Sequence, residues 1–227
     1  DFDPFLIRFN SAGGVVWAMQ NGRSSGDSDD EVYGVAVGPG GDVYIAGSTY
    51  DYLGTADGHG TNYGNYDGFV SRYTKDGVLR WTNQYGSTGA EWGWSLVITP
   101  SGTAYVAGYT NGGFPGFPQA GSQSPYITAI SSDGTTASSE QFSTPGNVLD
   151  ADYEFGAVVT IAPAGGLLLA TATKGTTWGA RANGGGFDVA ISHVPVPGSS
   201  KGVISSQWMA QLGSDAKDEI AVAQSDN

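Results

Sequence analysis

EVYGVAVGPGGDVYIAGST, residues Glu31 to Thr49, is the stretch whose reading decides the fold. Its two apolar runs, Val32–Val37 and Val43–Ala46, flank a tight Gly/Pro turn, the pattern of a β-hairpin. The phrase returns as WGWSLVITPSGTAYVAGYT at Trp92–Thr110 and as FGAVVTIAPAGGLLLATAT at Phe155–Thr173. A hairpin that recurs is part of a repeated unit, and its neighbours show how large that unit is.

The chain opens with DPFLIRFNSAGGVVWAMQNG (Asp3–Gly22), which returns as DGFVSRYTKDGVLRWTNQYG (Asp67–Gly86). Weaker copies begin at Ser124 and Asp188, so the four starts are 64, 57 and 64 residues apart. Trp17, Trp81 and Trp208 hold equivalent places and are followed three residues later by Gln20, Gln84 and Gln211. Each unit therefore holds four short strands in a meander. Four antiparallel strands at this period predict the blade of a β-propeller, because stacked blades bury faces that a single blade cannot. The expected fold is all-β. Partial blades fall at 1–22 and 215–227, and complete blades at about 31–88, 91–143 and 154–212, in one propeller region spanning 1–227.

These units resemble the bacterial SBBP β-propeller repeats. The matching residues are Asp67-Gly68-Phe69-Val70, Trp81, and Gly41-Asp42-Val43-Tyr44-Ile45-Ala46-Gly47. The later copies depart from the pattern, with Ser124 for Asp, Ser138 for Trp and Thr171 for the glycine of the second strand. The resemblance implies the fold and an extracellular or cell-surface setting, and no shared reaction. The phase of the repeat, the opening Asp1 and the stop at Ile220–Ala223 predict a mature or excised window of a longer propeller.

Composition agrees with many short strands. Glycine is the commonest residue at 37, and Gly or Pro interrupts almost every helical window. The net charge of −13 repels phosphate backbones and anionic surfaces, which argues against nucleic acid and membrane partners. With no cysteine there are no disulfides and no thiolate chemistry.

In a meander the short first-to-second and third-to-fourth turns share one end of the sheets, and the long loops share the other. Loops on a rigid scaffold are where binding resides. Three groups stand out there. Asp27, Asp29, Asp30, Asp150, Asp152, Asp215 and Asp218 lie in acidic connections between units, together with Glu91. Oxygen-rich loops suit Ca²⁺. The same side chains also cap turns and carry solvated charge. Next, Tyr50, Tyr52, His59, Asn62, Tyr63 and Tyr66 combine ring faces with hydrogen-bonding groups, as a sugar-binding surface requires, or as a loop packing on its own blade requires. Last, His193 is aligned with Tyr73 as a packed strand residue. No nucleophile triad, phosphate loop or dinucleotide fingerprint is present.

The expected function is a non-enzymatic scaffold or adhesive of a cell-surface layer or filament. It would associate with itself or with other surface proteins through exposed strand edges. The alternatives are a carbohydrate-binding propeller and a glycan-active enzyme, the latter needing two carboxylates across a cleft.

Overall fold

The computed structural model describes residues 3–20, 29–50, 52–53, 61–117, 123–135, 137–142, 157–163, 165–173, 188–194 and 208–212. Sheet I pairs β1 (Phe5–Phe9) with β2 (Val15–Gln20). Sheet II contains β3 (Asp30–Val37), β4 (Val43–Thr49), β5 (Asp67–Tyr73) and β6 (Leu79–Tyr85). Sheet III contains β7 (Glu91–Ile98), β8 (Ala104–Thr110), β9 (Ser124–Ile130) and β10 (Ala137–Gln141). Sheet IV contains β11 (Val158–Ile161), β12 (Leu167–Thr173), β13 (Asp188–Val194) and β14 (Trp208–Leu212). All pairings are antiparallel, and within each sheet neighbours in space are neighbours in sequence. The one helical segment among the described residues is a 3₁₀ turn at Pro39–Gly41.

Local chemistry makes the meander. The short turns close with the same bond, from a glycine N–H to a carbonyl three residues back: Gly13 to Asn10, Gly77 to Thr74, Gly102 to Thr99 and Gly134 to Ser131. Those glycines have φ between 77° and 86°, a region that side chains with a Cβ rarely occupy. Alternation along the strands then puts apolar residues on both faces, and the sheets stack in chain order with one core at each junction. Leu6 and Met19 of sheet I cover Phe69, Tyr73 and Leu79 of sheet II. Val70, Trp81 and Tyr85 of sheet II meet Tyr126, Ile130 and Phe114 of sheet III. Tyr105, Tyr109 and Ile127 of sheet III meet Leu167, Leu169 and Val194 of sheet IV. Among the first strands, β7 adjoins both β3 and β11.

A β-bulge explains a glycine. Tyr33 of β3 and Trp94 of β7 are the extra residues where the pairing with β4 and β8 shifts. Their rings stack on each other across the sheets, with centroids 4.4 Å apart. The bulge drives the preceding backbone against the second strand. A Cβ on Gly47 would lie 1.8 Å from the Glu31 carbonyl oxygen, and one on Gly108 would lie 1.8 Å from that of Trp92. In sheet IV the aromatic position is Ala157 and the glycine position is Thr171. The aromatic residue and the glycine are lost together.

The register corrects the alignment of His193. Arg72 pairs opposite Tyr44 and Trp81, while His193 pairs opposite Leu168 and Trp208. His193 therefore stands in the place of Arg72, and Val194 in that of Tyr73. A slip of one residue moves a side chain to the other face of a sheet, so the ring shared by His and Tyr misleads where the register does not.

Candidate functional site

The recurring polar residues converge at two levels of the stack. At the short-turn end, the third and fourth strands of one sheet grip the turn of the next. Arg8 and Trp17 both donate to the carbonyl oxygen of Lys75, the indole at 2.9 Å. One repeat later, Arg72 at 2.6 Å and Trp81 at 3.2 Å both donate to the carbonyl oxygen of Ser132. Two donors use both lone pairs of a single oxygen. Arg72 also pairs with Asp42 at 2.8 Å, and Asn83 donates to Gly134 at 2.8 Å. In sheet III the Arg and Trp positions are Ala129 and Ser138, which carry no such donors.

At the long-loop end the repeat builds a buried acidic junction. Gln20 donates to Asp3 at 2.7 Å, and Gln84 donates to Asp67 at 2.8 Å. Gln84 also accepts from the Leu53 N–H at 3.3 Å, fixing the loop after β4. Gln141 repeats that second role with Phe114 at 3.1 Å and, with Ser124 in place of the aspartate, donates to the Gly112 carbonyl at 3.1 Å. Asp67 is fully buried and accepts at Oδ2 from the Tyr63 N–H and from Gln84, while its Oδ1 has no hydrogen-bond partner. Glu91, at the head of β7, is equally buried and accepts from the Ser87 N–H, the Ser87 hydroxyl and the Thr110 hydroxyl.

The two carboxylates meet at Gly86. A Cβ there would lie 2.3 Å from Asp67 Oδ1 and 2.7 Å from Glu91 Oε2, so no more than the sum of these separates the oxygens. Burial pushes the Asp67 carboxyl up to about 6 against the pull of its two hydrogen bonds, and the charge of Glu91 adds to the rise. Burial likewise raises Glu91, opposed by its bonds from Ser87 and Thr110. The pair is sealed from solvent, so it can hold a proton and a junction and offers no substrate-sized access.

The tyrosine-rich loop divides into two. Tyr66 stacks on Trp92 at 6.5 Å and takes the edge of Tyr50 at 5.1 Å. Burial raises the Tyr66 phenol, with the charges of Asp29 and Glu31 adding to it. Tyr63 is 48% exposed and faces the other way. With Asn83, Gln84, Phe114, Thr135 and Ser139 it lines an open, largely polar groove of about 430 Å³ between the outer strands β6 and β10. Asn62 is exposed, and its side-chain carbonyl caps the Gly64 N–H at 3.1 Å. Tyr52 is half-buried. His59 lies outside the described residues. The Phe114–Phe117 segment is a tight turn around Gly116, with Phe114 buried against Tyr126.

Of the seven aspartates considered for Ca²⁺, Asp27, Asp150, Asp152, Asp215 and Asp218 lie outside the described residues. Asp30 is buried at the head of β3 opposite Thr49, and the carbonyl of Asp29 accepts from the Tyr50 N–H. Among the described residues no three or more acidic, His or Cys side chains come together as a metal site. Asp30 and Glu91 are inside strand ends rather than on solvated turns. Sequence reasoning missed Asp67, Gln84 and Glu91 as one cluster. The signal was a carboxylate recurring at the head of first and third strands, with glycine at position 86.

A scan against protein-family models finds no match, and a search of curated proteins finds none.

Proposed function

We propose that the stacked sheets are blades of a β-propeller of the SBBP kind, and that the chain is a non-enzymatic structural or adhesive scaffold at the cell surface. The observation that supports this most is the use made of the recurring polar residues. Arg8 and Arg72, Trp17 and Trp81, and Gln20, Gln84 and Gln141 are all engaged in holding strands, loops or neighbouring sheets. What the repeat preserves is adhesion between its own units. The acidic, cysteine-free composition suits an extracellular setting. Electron microscopy of the purified chain tests the proposal: ordered filaments or layers support it, and dispersed single particles at every concentration overturn it.

One observation favours a second reading, carbohydrate binding. Tyr63 offers an exposed ring beside the hydroxyls of Thr135 and Ser139 in the groove between β6 and β10. A glycan array read with the parent chain and with Tyr63→Ala decides it. Binding that disappears in the variant is the supporting result, and no binding by the parent chain removes the reading.

A further inference from the structure

The groove between β6 and β10 is polar and carries no charge. Among the described residues that line its roughly 430 Å³, none is acidic or basic. That volume lies within the range of small-ligand clefts, about 300 to 1,000 Å³. Tyr63 presents an exposed ring there and Ser138 an exposed hydroxyl. Asn83, only 6% exposed, belongs to the same wall. Its amide donates to the Gly134 carbonyl at 2.8 Å, and its side-chain oxygen has no hydrogen-bond partner among the described residues. A buried acceptor left without a donor is a cost that an incoming hydroxyl removes.

The repeat does not hold itself together with these residues. The register place of Asn83 is taken by Met19 in sheet I, Glu140 in sheet III and Ala210 in sheet IV. Ala137 and Ser138 stand on β10 where β6 carries Arg80 and Trp81, and their small, exposed side chains leave the groove open. Positions that vary over a constant frame are where a fold acquires a ligand. Charge then selects the ligand. Tyr63 and Gln84 line the groove, and both donate to Asp67 behind it. Gly86, also in the lining, is where Asp67 and Glu91 meet. The two buried carboxylates thus lie against the wall of the groove, in a chain of net charge −13. An acidic group entering it would face both of them where repulsion is poorly screened.

We infer that the β6–β10 groove binds a glycan free of acidic groups, with one sugar ring on Tyr63 and a hydroxyl on the Asn83 side-chain oxygen. This deepens the carbohydrate reading of the groove and rests on it. Carboxylated, sulfated and phosphorylated sugars are rejected by the carboxylates behind the wall.

Titration calorimetry of the parent chain with neutral hexose oligomers, and with uronate oligomers of equal length, tests the inference. At least one neutral series should bind, and its uronate counterpart should bind at least about tenfold more weakly. Asn83→Leu should weaken the neutral ligand about tenfold. Ala137→Trp, altered at an exposed position, should keep the circular dichroism of the parent, fill the groove and abolish binding. Uronates bound as tightly as the neutral oligomers would overturn the inference and leave the carbohydrate reading standing. Full affinity in either folded variant would also overturn it, by placing the sugar elsewhere. If the parent chain binds neither series, the inference and the carbohydrate reading fall together.

Discussion

Sheets II and III have nearly the same backbone and different fastenings. Both run first to fourth strand in order, both carry a bulge at the third residue after the strand head, and both place glycine opposite it. Sheet II has Asp67, Arg72 and Trp81 on its third and fourth strands, where sheet III has Ser124, Ala129 and Ser138. The consequence shows on the outer strand. Trp81 of β6 is buried beneath the turn of sheet III, whereas Ser138 at the same place on β10 is exposed. The meander is thus fixed by apolar alternation and turn glycines, and the grip on the following sheet is a separate, removable set of side chains.

The sharpest break in that comparison is Gly108→Thr, which gives sheet III the residue that sheet IV carries at Thr171. With the Trp92 carbonyl where the Cβ must go, the strand pairing cannot survive. The expected loss is more than about 4 kcal/mol, read as disappearance of the cooperative urea transition. The reverse exchange, Thr171→Gly, should leave that transition in place.

Trp81→Ala comes next, at about 3 to 5 kcal/mol, since it empties a buried site and leaves the Ser132 carbonyl with one donor. Ser138→Ala, at the matching exposed place, should fall within about 0.5 kcal/mol. Similar costs for the two would sink the distinction between sheets II and III.

Asp67→Asn should stabilise the chain. The native carboxyl binds its proton more tightly than the unfolded one, so this group favours folding below about pH 4 and loses that contribution as pH rises to about 6. Above that the buried charge is a standing cost. An asparagine keeps an acceptor for Tyr63 and Gln84 and turns its NH₂ toward Glu91 Oε2. A gain of about 1 to 3 kcal/mol at pH 7 is expected, and the fall in melting temperature between pH 4 and 6 should flatten. A loss of stability at pH 7 would show that the unpartnered oxygen matters more than its charge. A modest loss is expected for Arg72→Ala, about 1 to 2 kcal/mol, because the guanidinium and its Asp42 partner keep some contact with water.

Much of this was legible in advance. The hairpin phrase around Gly38–Asp42, the Trp–Gln spacing and the copy starts at Asp3, Asp67, Ser124 and Asp188 located the strands and their order, because period-2 alternation and glycine turns are local properties. The candidate site was less legible. Asp67 and Glu91 meet only because the third strand of one sheet abuts the first strand of the next, a distance no spacing rule measures. Tyr50, Tyr63 and Tyr66 read as one platform from their nearness in sequence, and the stack splits them between Trp92 and the β6–β10 groove. His193 was displaced by one residue, which only the pairing partners reveal.

The acceptors gripped by Arg8 with Trp17 and by Arg72 with Trp81 are main-chain oxygens, at Lys75 and Ser132. Every amino acid supplies that atom. The receiving turn can drift from Lys to Ser without weakening the joint, while the donors drift only at its expense. Selection on such an array would therefore bear unevenly on its two sides, letting copies diverge quickly at the turn and slowly at the strand. Duplicated units could then be shuffled or extended, because any new neighbour with a turn at the right height carries the matching half of the joint.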